Sequence, residues 1–493
     1  MDSYILKTFI VEFFLLSSVL FILLYNAYLI TSSSYNFPIL DNETFIQSLF
    51  ILFISFLLSV GNDFGGLSAL SLFSNDISAI SVKTIIIVAT IGSLICGKPY
   101  FIKKKINLFE YYILVLLALF SLLFLTAATD FMTIYLCLEM QSLCFYVLAA
   151  FNRYSVFSTE AGLKYFVIGV FCSCIFLLGS SLLYGMTGTT NLNNIALLLT
   201  NLPIGTATYY FLIAGILFLL ITILFKLAAV PFHVWSPDVY EGSPLNSTII
   251  FVLVPKTVFL FLIFRLFYSS FFDVFLPFKE IFLICGVLSV LVGTFLALKQ
   301  KRLKKLLVYS SISHVGFMLL GFSTGTLLGI TAVFYYMIFY IITGFLVWGI
   351  LSLFYHDNKG SLYLTDFAAL IKTNPALALA FALSFFSLAG IPPLVGFSMK
   401  FFIFSAAMEA NLYGVSLLII LLSVIGSFYY LRFIKIIFFE KHNIADSFIT
   451  INKTTEKVYS LVAFSLIVIL VGFIDPTFIL LYSYKIALGA MIF

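Results

Sequence analysis

Charge is what this chain has least of. Only 10% of its 493 residues are charged, against about 25% in an ordinary soluble domain. With 62% hydrophobic residues and a mean hydropathy of +1.17, a soluble globular protein is excluded. No stretch is long or polar enough to form a domain outside a membrane. Arginine is scarcer still, since Arg153, Arg265, Arg302 and Arg432 stand against 22 lysines. That ratio, with 60 phenylalanines, fits an AT-rich genome such as an organelle's, or a bacterium of low GC content. The beginning of the chain lacks the early arginines of an import presequence and the small-residue cleavage pattern of a signal peptide. The first apolar span, which carries Glu12, is therefore expected to be retained.

Ligand motifs are missing as well. Cys96, Cys137, Cys144, Cys172, Cys174 and Cys285 all sit in apolar spans, with no Cys-x-x-Cys pair and no neighbouring histidine. They read as inert packing thiols, so no metal or iron–sulfur ligation is expected. No glycine-rich phosphate or dinucleotide loop is present. Any redox or nucleotide chemistry is expected on partner chains, and the partners expected are other membrane subunits and lipids, not nucleic acid. Asn42, Asn246 and Asn452 match the glycosylation pattern, which is short enough to arise by chance.

What the chain does have is apolar runs. A crossing helix needs about 20 residues, and runs between polar breaks give fourteen spans, near 8–30, 44–60, 78–97, 108–128, 131–151, 160–186, 204–235, 244–268, 277–298, 304–323, 325–355, 373–409, 412–438 and 457–474. The segment 476–493, interrupted by Asp475, Pro476 and Lys485, reads as a tail. Positive charge should collect on every second loop. Lys98, Lys103, Lys104 and Lys105, then Arg153, then Lys299, Lys301, Arg302, Lys304 and Lys305, then Lys359 and Lys372, then Lys435, Lys441, Lys453 and Lys457 obey that rule. Both termini are then expected opposite the basic loops. The fold class expected is an all-α polytopic membrane protein of about 14 helices.

Two of these spans, 204–235 and 373–409, are too long for one crossing. Both contain proline, which removes a backbone N–H and clashes with the carbonyl four residues earlier. Pro231 is expected to break the first, and Gly390, Pro392 and Pro393 the second, freeing the carbonyls of Leu388 and Ala389. Each break is fourth in a set of five spans. Five is odd, so the second set should insert upside down relative to the first, as in transporters built from inverted repeats. The division expected is 1–107 for helices 1–3, 108–272 and 273–440 for the two repeats, and 441–493 for the final helix and tail.

Buried charge sits at these breaks. Lys226 lies five residues before Pro231, Lys256 directly follows Pro255, and Lys400 follows the second break. An ammonium at membrane depth costs roughly 2.5–3.5 kcal/mol on insertion scales, so each is expected where protein or water solvates it. Lysine can be switched between charged and neutral by its surroundings, which arginine cannot. Glu139, near the centre of the span 131–151, suits a proton site or a structural ion pair. Lys164 can serve such a path or merely pair with Glu160 four residues earlier. His314, midway along its span, is a usable proton carrier or a hydrogen-bonded packing residue. His233 is expected to support the turn beside Asp238 and Glu241, and Trp235 and the many tyrosines near span ends to anchor the interface.

The run Phe225-Lys226-Leu227-Ala228-Ala229-Val230-Pro231-Phe232-His233-Val234-Trp235-Ser236-Pro237-Asp238-Val239-Tyr240-Glu241-Gly242-Ser243-Pro244, with Glu139 upstream and Gly390-Ile391-Pro392-Pro393-Leu394-Val395-Gly396-Phe397-Ser398-Met399-Lys400 downstream, resembles the antiporter-like proton-translocating subunits of respiratory NADH:ubiquinone oxidoreductase (complex I). The likeness covers roughly 100–440 and is greatest to the subunit 2 branch, whose bacterial counterpart is the N chain. Ending soon after the fourteenth span, the chain is expected to lack the lateral helix of the subunit 5 relatives. The resemblance implies that Glu139 and Lys226 are a coupled pair in a first half-channel, Lys256 the central lysine and Lys400 the lysine of the second half-channel. Lys164 matches a further family lysine, and His314 falls among the polar residues of the central axis. It implies a mitochondrial inner membrane location with basic loops in the matrix and both termini in the intermembrane space. No cofactor is implied on this chain, while FMN, iron–sulfur clusters and ubiquinone belong to other subunits, and neighbouring membrane-arm subunits are the implied partners. A multi-subunit cation/proton antiporter chain, a plastid NAD(P)H dehydrogenase chain and a non-transporting scaffold remain as alternatives.

Overall fold

The computed structural model of the chain describes residues 7–31, 37–61, 68–69, 72–104, 109–200, 206–354, 362–368, 370–440 and 456–491. Lys105, Lys359, Lys441, Asn452 and Lys453, and the side chains of Lys103 and Lys104, lie outside the described residues. Among the described residues the chain is built from helices, with one pair of two-residue strands, Ser68–Ala69 and Phe73–Ser74. The N-terminal helices are α1 (Ile10–Thr31), α2 (Phe37–Val60) and α3 (Ile77–Lys104). The first set then runs α4 (Glu110–Ala127), α5 (Phe131–Ala149), α6 (Val156–Thr187), the short α7 (Leu192–Leu199), α8 (Ala207–Leu227), the short α9 (Trp235–Gly242) and α10 (Leu245–Arg265). The second runs α11 (Phe275–Leu298), α12 (Leu303–Ser323), α13 (Leu327–Leu353), α14 (Pro375–Ala389), α15 (Val395–Glu409) and α16 (Tyr413–Phe439), and is followed by α17 (Glu456–Ile474) and α18 (Thr477–Met491).

Thirteen helices among the described residues are long and apolar enough to cross a membrane. The remaining expected span, 373–409, is the pair α14 and α15, of 15 residues each. At 1.5 Å per residue each half reaches only about 22 Å, short of the roughly 30 Å hydrocarbon core. The seventh expected span likewise stops at Leu227 and resumes as the eight-residue α9. With the broken pair counted as one crossing, the described basic loops all fall on one side.

Burial sorts the helices. Every residue of α10 is buried, and α12 and α13 are nearly so, which makes these three the central axis. The apolar outer faces of α6, α16 and α17 are open, as lipid-facing helices require. Polar caps fix the ends. Asp130 Oδ1 accepts from the Met132 N–H at 2.8 Å while its Oδ2 accepts from the Thr190 hydroxyl at 2.7 Å, tying the start of α5 to the strap before α7.

Two expectations need correction. The segment after Asp475 is helix α18, because Asp475 and Pro476 are a helix start instead of a break: Asp475 Oδ1 accepts from the Thr477 N–H at 3.1 Å, and proline at a first turn sacrifices no helical hydrogen bond. Its Tyr482 hydroxyl donates to the Ser81 carbonyl at 2.9 Å, pinning α18 to α3. Asn246, a match to the glycosylation pattern, is buried within α10 and closed to modification.

The N-terminal helices hold a polar cluster that the sequence does not announce. Glu12 of α1 and Lys83 of α3 form an ion pair almost without exposure. The Asn75 side-chain oxygen accepts from Lys83 at 2.8 Å, and its amide donates to the Thr8 carbonyl at 2.7 Å. Next to it, Asp76 pairs with the buried Arg265 at the end of α10 at 3.1 Å, and the guanidinium also donates to Ser74 and to the Thr126 carbonyl. Adjacent residues 75 and 76 thus bind the N-terminal unit to the central axis.

Candidate functional site

The first break is capped and adjacent to charge. Helix α8 ends as Ala228 turns left-handed at φ 59°, and the backbone N–H groups of Ala228 and Ala229 return to Phe225 and Leu224 at 2.9 and 3.0 Å. Trp235 is not an interfacial anchor: it is buried, donates its indole N–H to the Phe225 carbonyl at 3.1 Å and stacks on Tyr165 at 4.9 Å. The Phe225 carbonyl thus accepts from both the Ala228 N–H and the indole N–H, which ties the end of α8 to α9. Pro231 itself lies exposed on the surface of the chain.

Lys226 is the last-turn cation of α8, where the negative end of the helix dipole favours it. It makes no ion pair with Glu139. The two line one small cavity of about 10 Å³ with Cys172, Thr222 and Phe259, a volume that admits about one water. The expected pair is therefore a pair across a water-sized gap.

The central axis carries the next groups. Lys256 is buried at 3% exposure in α10, 3.5 Å from the Ser311 carbonyl of α12, with its ammonium 5.6 Å from the ring centre of Tyr340. Pro255 does not break α10. The Tyr340 ring lies 5.5 Å from the His314 ring. His314 Nδ1 is 2.6 Å from the Tyr336 hydroxyl, and its Nε2 is 3.2 Å from the Tyr430 hydroxyl. A cavity of about 20 Å³ beside it is lined by Ser310, Tyr340 and Thr343 among others. These tyrosines lie within their spans and not near span ends, so the expectation for interfacial tyrosines does not cover them. Their signal was available, since Tyr336 and Tyr340 are four residues apart at mid-span and share one helix face.

At the second break, Lys400 does what the prolines dictate. Its ammonium donates to the carbonyls of Leu388 and Ala389 at 3.1 and 2.7 Å, the two that Pro392 and Pro393 cannot serve. The Phe317 ring lies 5.6 Å away, and Phe317 in turn stacks near Tyr336. Gly390 closes α14 with φ +84°, a left-handed conformation that favours glycine, and a Cβ there would press on the Lys400 side chain at 3.0 Å. The two halves pack so closely that a Cβ on Gly396 would strike the Ser387 carbonyl. Pro392 and Pro393 are exposed on the surface of the chain, as Pro231 is. The two sites are not mirror images: Lys226 precedes its break and Lys400 follows its own.

Lys164 lies apart from this row. It is 45% exposed and paired with Glu160 at 2.8 Å and Asp238 of α9 at 3.5 Å, so the local pair is present and extends to the segment after the first break. His233 is half-buried, and burial pushes its imidazole below its ordinary value. Glu241 accepts from Arg302 at 2.6 Å and Lys305 at 2.8 Å, while Lys304 donates to the Ser243 carbonyl at 2.6 Å. That node fastens α9 to the start of α12, the helix of His314.

Residues 128–428 match the family model described as NADH:quinone oxidoreductase/Mrp antiporter, TM. NADH-ubiquinone oxidoreductase chain 2 of Marchantia polymorpha is 39% identical over 87% of this chain and 88% of its own length. NADH-quinone oxidoreductase subunit N of Paramagnetospirillum magneticum is 39% identical over 81% and 83%. A chain of respiratory complex I from Thermus thermophilus with bound aureothin superposes with a TM-score of 0.78 at 26% identity, over 95% of this chain and 98% of that one. A chain of the Mrp complex from Dietzia sp. shares the fold, with a TM-score of 0.82 at 20% identity over 99% and 98%. With broken helices, buried lysines and kinship agreeing, the chain belongs to the antiporter-like, proton-translocating membrane subunits of NADH:quinone oxidoreductase, complex I.

Proposed function

We propose that protons cross this chain along a row that begins at Glu139 and Lys226, continues through Lys256 and His314 and leaves at Lys400, with Lys164 at the rim of the first break. The observation that carries this reading is the continuous series of close neighbours from Lys256 through Tyr340, His314, Tyr336 and Phe317 to Lys400. Buried lysines can hold or release a proton according to their partners. Hydroxyls of Tyr336 and Tyr430 on both nitrogens of His314 can relay one in either direction, because a hydroxyl both donates and accepts. Phe317 cannot carry a proton, so the last step to Lys400 needs water.

In this reading residues 108–272 and 273–440 act as two inverted repeats, with 1–107 and 441–493 outside them. The basic loops face the mitochondrial matrix and both termini the intermembrane space of the inner membrane. FMN, iron–sulfur clusters and ubiquinone are carried by other subunits. Broken helices survive in a membrane only when covered or lining a polar cavity, so the exposed prolines at both breaks are covered by neighbouring membrane-arm subunits. Glu139→Gln tests the first step. It is expected to leave assembly intact and to lower proton pumping and NADH:ubiquinone activity together, by about tenfold or more. Normal pumping with glutamine at normal assembly would remove Glu139 from the path.

A further inference from the structure

Between the cavity shared by Glu139 and Lys226 and the ammonium of Lys256, the proposed path has no carrier, and buried tyrosines occupy that interval. Glu139, Ser142 and Tyr146 follow one another at spacings of three and four along α5, on one helix face. Ser142 and Tyr146 are both buried, and Tyr146 interacts electrostatically with Glu139. Its ring meets that of Tyr165 on α6 edge to face at 4.9 Å. Gly169 leaves room for this approach, since a Cβ there would strike the Tyr146 hydroxyl. Two turns beyond Tyr165 on the same helix face, Cys172 lines the cavity of Glu139 and Lys226.

Across the first break, Tyr240 of α9 is held by Trp235 at 5.7 Å, the same indole that stacks on Tyr165. Its hydroxyl donates to the Phe251 carbonyl at 3.4 Å. That is the carbonyl to which Pro255, lacking an N–H, gives no helical hydrogen bond. The proline beside Lys256 thus aims the phenol at α10. A bond of 3.4 Å is a loose one, so the hydroxyl is free to turn. It interacts electrostatically with Tyr165 on one side and Tyr340 on the other. Tyr340 bonds in turn with the Ser311 side chain, and the Lys256 ammonium lies 3.5 Å from the Ser311 carbonyl. All four tyrosines are at most 7% exposed.

We infer that the hydroxyls of Tyr146, Tyr165, Tyr240 and Tyr340 carry protons between Glu139 and Lys256, an inference that rests on the proton path proposed for this chain and supplies its missing interval. Each phenol takes a proton on its oxygen as its own O–H proton passes to the next acceptor, so the tyrosine ends neutral and no electron moves. Water completes the steps that two hydroxyls do not span.

The test is Tyr240→Phe in the whole complex in sealed vesicles. Phenylalanine keeps the ring against Trp235 and Phe251 and removes the hydroxyl alone. Assembly is expected to be normal, with pumping and the coupled NADH:ubiquinone rate lowered together by about tenfold or more. The solvent deuterium isotope effect on NADH oxidation is expected to rise, because proton transfer then limits the rate. Tyr165→Phe should behave alike, and it decides the matter if Tyr240→Phe does not assemble. Tyr111→Phe, at a buried tyrosine packed on Phe101 and Phe151 outside this row, should change neither rate nor isotope effect. Normal rates in the Tyr240 and Tyr165 variants, with Glu139→Gln impaired, would overturn the tyrosine row and leave the path of lysines standing. Normal rates in all three would overturn both. A lowered rate with an unchanged isotope effect would make the Tyr240 hydroxyl a clamp on the Phe251 carbonyl and remove it from proton transfer.

Discussion

Lys400→Met is expected to leave the complex assembled while cutting proton pumping and the coupled NADH:ubiquinone rate by at least about tenfold. Positioned proton transfer is worth about 10²–10⁴ in rate, and methionine keeps most of the stem while removing the charge. The carbonyls of Leu388 and Ala389, which now accept from the ammonium, would lose that donor. Lys400→Arg separates two roles, since its guanidinium stays charged at every working pH. A lysine that only balances the two carbonyls is replaced by arginine with activity retained. A lysine that must give up its proton is not, and both variants fail. Pumping in sealed vesicles, at matched assembly, distinguishes the two, with failure of both as the expected result.

The second large effect falls far from the relay. Glu12→Ala leaves Lys83 buried with Asn75 alone, and removing one member of a buried pair costs about 3–5 kcal/mol. The yield of assembled complex on native gels is expected to fall sharply. Glu12→Leu combined with Lys83→Met removes both charges and should recover most of the loss, because a buried pair replaced by apolar groups is often neutral. Equal loss in the single and double variants would mean that these side chains matter for packing and not for charge. Because Asn75 and Asp76 are adjacent, the same loss is expected to loosen Arg265 and with it the end of the helix that carries Lys256.

The architecture was legible where one residue type forces one outcome. Prolines at 231, 392 and 393 mark the two breaks, and the freed carbonyls of Leu388 and Ala389 predict the partners that Lys400 takes. Alternating loop charge fixes the count of crossings. What could not be read is pairing between distant helices. Glu12 with Lys83 spans 71 positions, and Asp76 with Arg265 spans 189, and nothing local distinguishes those side chains from interfacial ones. Trp235 differs from expectation for a related reason: an amphipathic ring suits a membrane interface and a buried carbonyl equally well. Asp475 with Pro476 was misread because the same two residues stop one helix and start another.

The central claim is that this chain moves protons through its buried lysines, and Lys256 tests it most directly. It lies in α10, whose residues are all buried, and methionine can fill its place without leaving an unpaired charge. The measurement is acidification of sealed vesicles together with NADH oxidation by the complex carrying Lys256→Met. The result expected is normal assembly with both rates lowered at least about tenfold; normal rates with an unchanged ratio of protons to NADH would contradict the account.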